Sequence, residues 1–168
     1  MSDSAKSCFP AVVNPQTRLL ILGSLPGDAS LQAAQYYAHP RNQFWRLLGE
    51  VLGLDLPAMP YLQRLSAMQA QGVGLWDVVA EAQRRGSLDT AIRAASANDL
   101  TALCHGLPRL QAVAFNGATA AGIGRRQLAG LAGRLQLFNL PSSSPAHTMA
   151  YASKLAQWLP LREALHRP

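Results

Sequence analysis

The stretch RLLILGSLPG, residues 18–27, decides how the rest of the chain is read. Leu19, Leu20, Ile21 and Leu22 form an unbroken apolar run too short for a buried helix, and Gly and Pro end it. Such a run reads as a strand buried on both faces, passing into a loop. Two more runs of this kind follow, GVGLWDVV (72–79) and LQAVAFNG (110–117). A fourth, in RLQLFNLPSSSPAH (134–147), breaks into a Pro/Ser loop. The segments between them have helical periodicity. QFWRLLGEVLG (43–53) places Phe44, Leu47, Leu48, Val51 and Leu52 along one stripe, and Gly53 closes it. Further helices are predicted over 61–71, from residue 118 onward, and over 148–165. In 86–106 a polar connection precedes a helix capped near Asn98 and stopped at Gly106. Strands alternating with helices predict one α/β domain over 1–168, with a mostly parallel central sheet.

Composition narrows the functional classes. With 49% apolar and 14% charged residues the chain is globular in character. No run approaches the ~20 apolar residues of a membrane span. The opening MSDSAKSCFP has no apolar signal core, which predicts a cytoplasmic protein. Cys8 and Cys104 are too few for a disulfide framework or a thiolate-held cluster, and no metal-ligand spacing is present. Fifteen basic against nine acidic residues give a net charge of +6. That balance suits a polyanion, because neutralising phosphates releases counterions.

In parallel sheets ligands bind beyond the carboxyl ends of the strands. Those ends carry Gly23, Ser24 and Leu25 in GSLPG, Asp77 after Trp76, Asn116 before Gly117, and Ser142, Ser143 and Ser144 in the last loop. GSLPG lacks the lysine of a phosphate loop and the spacing of a dinucleotide fingerprint. It is a tight turn, or a turn whose N–H groups hold an anion or a carbonyl oxygen. Asp77 is either a strand-end cap or a site residue. In YYAHPR (36–41) Pro40 keeps His39 out of a helix, so the segment is a loop feeding the helix at Gln43. Asn42 then falls at an N-cap position. Yet Tyr37, His39, Arg41 and Asn42 also supply a stacking face, an imidazole, a guanidinium and an amide, the groups that read a flat polar ring beside a phosphate. LPSSSPAH (140–147) either contacts phosphates or is a solvated loop leading past His147. No G-x-S-x-G or H-E-x-x-H constellation appears, which argues against a small-molecule hydrolase.

GSLPG, YYAHPRNQFW, GLWDV, AFNG and LPSSSPAH, in this order, resemble the uracil-DNA glycosylase superfamily, and within it the hypoxanthine-DNA (deoxyinosine) glycosylase branch. The resemblance covers residues 18–165. It implies a three-layer α/β/α sandwich around a four-stranded sheet. It also implies a monomeric enzyme that flips deaminated bases from double- or single-stranded DNA and hydrolyses the N-glycosidic bond without metal or cofactor. Where the mismatch-specific uracil branch has a water-positioning Asn in its first loop, this chain has Leu25; where other branches carry a loop histidine, it has Leu140. The deoxyinosine branch shares both departures. The resemblance therefore implies Asn42 as the catalytic amide, with Asn116 as partner and His39 in support. Gly23, Ser24, Leu25, Tyr37 and Asp77 would surround the base. Arg41, Ser142, Ser143, Ser144 and His147 would face DNA, with Arg125 and Arg126 either clamping the backbone or lying on a solvated face. Hypoxanthine is the implied substrate, with uracil or xanthine secondary. The alternatives are a mismatch-type uracil enzyme and a module that binds lesions without cleaving.

Overall fold

The computed structural model describes residues 4–84 and 92–167. Along the chain its strands are β1 (Ser4–Ser7), β2 (Leu19–Gly23), β3 (Val73–Asp77), β4 (Val79–Arg84), β5 (Ile92–Ala97), β6 (Ala112–Asn116) and β7 (Gln136–Leu140). Its α-helices are α1 (Asp28–Ala33), α2 (Phe44–Leu52), α3 (Tyr61–Ala70), α4 (Leu100–His105), α5 (Ala118–Leu128), α6 (Tyr151–Trp158) and α7 (Leu161–His166). The central sheet has the order β3-β2-β6-β7, and all three pairings are parallel. The four strands read from the sequence are these four.

The doubly buried character of β2 follows from its two partners and two faces. Leu19 and Ile21 point into one apolar cluster, which they share with Phe44, Leu47 and Leu48 of α2 and with Trp158 and Leu161 at the carboxyl end of the chain. Leu20 and Leu22 point into the other, with Leu100 and Cys104 of α4 and Ala120 and Leu128 of α5. Helices thus cover both faces, giving an α/β/α arrangement. Each buried leucine or isoleucine contributes roughly 1.5–3 kcal/mol relative to exposure.

Three sequence expectations are corrected. The N-terminal segment and the region 79–97 hold a second, three-stranded antiparallel sheet in the order β1-β4-β5. Its strands are rich in Ala, Ser and charge, so no apolar alternation marked them; residues 86–91 of the expected connection lie outside the described residues. The α4 cap is Asp99, whose carboxylate accepts from Ala102 N–H at 3.0 Å, rather than Asn98. Asn98 instead donates to the Asp77 carbonyl at 2.7 Å. The closing helix divides at Leu159 and Pro160 into α6 and α7, because a proline cannot donate the helical hydrogen bond.

Strand order places the switch point between β2 and β6, whose helical connections leave in opposite directions, and this is where a crevice opens in such sheets. Close packing beside it depends on a glycine. A Cβ on Gly124 of α5 would lie 2.3 Å from Cε1 of the fully buried Phe115, whereas one on Gly122 would meet nothing within 4 Å. Gly124→Ala should therefore destabilise by roughly 1–3 kcal/mol. Gly122→Ala should stabilise by up to about 1 kcal/mol. Denaturant midpoints of the two variants check this pair of opposite signs.

Candidate active site

A cavity of about 560 Å³ opens over the carboxyl ends of the central strands. All four strand-end loops reach it, as does the turn before α2. Of the residues singled out in the sequence, Gly23, Ser24, Leu25, Tyr37, His39, Asn42, Asp77, Asn116, Ser142, Ser143, Ser144 and His147 line it. Arg41 does not; it lines a neighbouring cavity. Arg125 is turned to β7, where its Nε donates to Asn139 Oδ1 at 2.7 Å. Arg126 lines neither cavity.

The first loop is fixed by backbone bonds to the chain leaving β3. Val78 N–H donates to the Gly23 carbonyl at 2.8 Å and Val79 N–H to the Ser24 carbonyl at 3.0 Å. Leu25 is buried with Val78 and Val79, so it presents an apolar wall to the pocket. A Cβ on Gly23 would lie 2.7 Å from both Asp77 Oδ1 and the Tyr37 hydroxyl. The three residues therefore meet at one point of the pocket, and only glycine leaves room there. Asp77 is 3% exposed. Beside it the Tyr36 phenol donates to the Pro10 carbonyl at 3.1 Å, and burial, followed by the Asp77 charge, pushes its pKa well above the usual phenol value.

Tyr37 has φ +55, a left-handed conformation that costs a bulky residue of order 1 kcal/mol or more. One face of its ring stacks on Phe44, with centroids 3.8 Å apart and planes 13° from parallel. Tyr37 also lines the pocket. The turn that follows is closed by Asn42 N–H to the His39 carbonyl at 2.9 Å. Arg41 N–H donates to His39 Nδ1 at 3.1 Å. Because Nδ1 accepts, the neutral ring carries its proton on Nε2.

Asn42 Oδ1 accepts from Phe44 N–H at 3.0 Å, capping α2 from one residue ahead of the assigned boundary. That bond assigns the amide: the atom facing an N–H must be oxygen, so Nδ2 points away from the helix with its two donors. Asn116 is bound differently. Its Nδ2 donates to Ser143 Oγ and its Oδ1 accepts from Ser143 N–H, both at 2.9 Å. The Ser143 carbonyl in turn accepts from Gln43 N–H at 3.0 Å. Asn116 and Ser143 are 7% and 1% exposed, so this amide pins the serine loop and keeps one N–H and one lone pair for anything else. In the loop itself Ser142 Oγ accepts from Ser144 N–H, and Ser144 Oγ from Ala146 N–H. His147 is exposed at the rim.

Sequence reading missed Lys154, whose ammonium donates to the Ser144 carbonyl at 3.2 Å from within the protein. One signal was present: Lys154 lies one turn before Trp158, on the apolar stripe of its helix. Among the described residues no helix is long and apolar enough to cross a membrane.

Fold and pocket together define a class: an α/β protein whose strand-end cavity is lined by aromatic rings, two amides and a carboxylate. Comparison with known proteins gives that class its family. The model of the uracil DNA glycosylase superfamily matches residues 10–165. A hypoxanthine DNA glycosylase of Methanosarcina acetivorans is 39% identical over 153 residues, 91% of this chain and 95% of the relative. One from Methanosarcina barkeri is 46% identical over 112 residues, 67% of this chain and 71% of the relative. A solution NMR structure of a candidate uracil DNA glycosylase from Methanosarcina acetivorans superposes with a TM-score of 0.86 at 36% identity, covering 98% of this chain and 100% of that one. The chain belongs to the uracil DNA glycosylase superfamily.

The Asn116–Ser143 junction yields a stability prediction. Asn116→Ala leaves the buried Ser143 N–H unpaired and should cost about 1–3 kcal/mol. Asn116→Asp keeps that acceptor and lets the Ser143 hydroxyl turn to donate, so it should lose less. Thermal unfolding of the two variants measures the difference.

Proposed function

We propose that this protein is a monofunctional DNA glycosylase that extrudes deaminated bases, hypoxanthine first, and hydrolyses their N-glycosidic bonds to leave abasic sites. The observation that carries this reading is the Asn42 amide: its oxygen is fixed by the α2 N-terminus, and it lines the strand-end cavity together with the Tyr37 ring. The two Methanosarcina relatives, both hypoxanthine DNA glycosylases by name, support the choice of base. In this reading the protein works as a monomer in the cytoplasm.

Glycoside cleavage of this type builds positive charge on the sugar and negative charge on the leaving base. Stabilising the base and placing a water is then enough, with no strong general base. Asn42 Nδ2 donates to the departing base, and the second lone pair of Oδ1 orients the water. Tyr37 stacks on the base, and His39 Nε2–H supports the leaving group or the adjacent phosphate. Asp77 accepts from the base edge: hypoxanthine carries N1–H where adenine has a lone pair, so a buried carboxylate there opposes adenine. Asn116 holds the serine loop in register and offers its remaining N–H to the base. Ser142, Ser144, Arg41 and His147 meet the DNA backbone, while Ser143, expected from the sequence to join them, is buried and engaged at N–H, hydroxyl and carbonyl and anchors the loop instead.

Duplexes carrying deoxyinosine, deoxyuridine or deoxyxanthosine, cleaved at abasic sites by alkali, test the activity. Release of hypoxanthine under single-turnover conditions is the expected result, and no strand break on any of the three would refute it. Asn42→Ala should slow excision by on the order of 10²–10³ with DNA affinity largely kept. Asn42→Asp preserves the cap but sets a carboxylate oxygen against the anionic leaving base, so it should lose at least as much rate with little loss of stability. Near-parental rates in Asn42→Asp would show that the cap, not the donor, is what Asn42 supplies.

A further inference from the structure

On the far side of the His39–Asn42 turn lies a second cavity, of about 790 Å³. It shares Tyr37, His39, Asn42, Pro145 and His147 with the base pocket, so the turn is the wall between the two. Its charge is of one sign: Arg41, Arg46, Arg64 and Lys154 line it, and no aspartate or glutamate among the described residues does. The floor is unusual. Lys154, in the first turn of α6, is 1% exposed, yet no carboxylate among the described residues pairs with it.

Removing an ammonium from water costs several kcal/mol unless an anion or a full set of acceptors compensates. Here the Ser144 carbonyl serves one of three N–H donors. Burial accordingly lowers the Lys154 pKa below the usual lysine value. The arginines are held in place without being neutralised. Arg46 lies 3.7 Å above the centre of the Tyr151 ring. Arg64 lies 5.6 Å above Trp45, with its Nε donating to the Met59 carbonyl. Glu50, one turn beyond Arg46, lies outside the lining and forms no ion pair with either arginine among the described residues.

We propose that this cavity is a phosphate site, which takes the backbone phosphodiester next to the extruded nucleotide, with Lys154 as its floor and Arg46 on its wall. The proposal rests on the reading that DNA is the substrate. A nucleotide with its base in the first pocket carries its own phosphates past the shared turn, into reach of these cations. The phosphate would supply the anion that the buried ammonium has no protein partner for. Through the Ser144 carbonyl, Lys154 would also couple that phosphate to the loop that Asn116 pins.

The test is equilibrium binding, at a series of salt concentrations, of one duplex with a stable abasic-site analogue and one undamaged duplex. Parent, Lys154→Met and Arg46→Gln are compared. Each variant should weaken binding to the abasic-analogue duplex, whose nucleotide is extruded, by more than binding to the undamaged one. Each should also reduce the slope of log Kobs against log [salt] by about 0.9, the increment for one phosphate that the protein no longer neutralises. Arg46 makes no hydrogen bond to the serine loop among the described residues, so an unchanged slope in Arg46→Gln overturns the site even if Lys154→Met unfolds or binds weakly. Inorganic phosphate that raises the melting temperature of the parent alone, with the DNA slopes unchanged, would assign the cavity to a free phosphate ligand and also overturn the proposal. Excision by the parent is assayed separately: a protein that releases no base but shows both slope changes loses the glycosylase reading and keeps the phosphate site.

Discussion

Ser143 is held by three hydrogen bonds from two directions, and the architecture of the pocket depends on that junction. Its N–H and hydroxyl are taken by Asn116 at the end of β6, and its carbonyl by Gln43 N–H at the start of α2. Two loops far apart in sequence are thereby fixed to one strand end. Buried and paired on every polar atom, such a junction resists deformation, since opening it would leave donors and acceptors unpaired in a low-dielectric interior. The side chains on either side of it, Asn42 and the flanking serines, inherit its rigidity. This is the preorganisation that electrostatic stabilisation of a leaving group requires, because dipoles that are already aimed need not reorganise when charge develops.

The central sheet was legible in the sequence because parallel strands covered on both faces leave unbroken apolar runs, as at Leu19, Leu20, Ile21 and Leu22. The β1-β4-β5 sheet was not. Its residues, such as Lys6, Glu81 and Ser96, are stabilised by ladder bonds that side-chain hydropathy does not report. Position in the site was legible for a similar reason: the strand ends were known, so the loops could be placed. Which atoms of those loops are available was a different matter. Nothing in AFNG says that Ser143 engages both ends of the Asn116 amide, since that depends on a residue 27 positions away. Lys154 was hidden because burial of a lysine is decided by what packs over it, not by its own residue type.

The turn before α2 carries one locally unfavourable residue, Tyr37, and one favourable cap, Asn42, and both are supported by Phe44. Tyr37 bears a left-handed backbone, yet its ring is stacked on Phe44, and its hydroxyl sits beside Asp77 and Gly23. Stacking of this kind adds about 0.5–1.5 kcal/mol beyond simple burial, comparable with the backbone cost. Asn42 caps the apolar helix, its oxygen taking the Phe44 N–H. One buried residue thus supports both the stacking face and the amide, through its ring and its backbone respectively. Because Phe44 is fully buried against Trp45 and Trp158, neither support can shift without disturbing the core. The geometry of the pocket is in this sense an extension of the packing of α2. Strain that would be lost to relaxation on a mobile loop is retained here, and the amide presents its donors from a position the helix has already fixed.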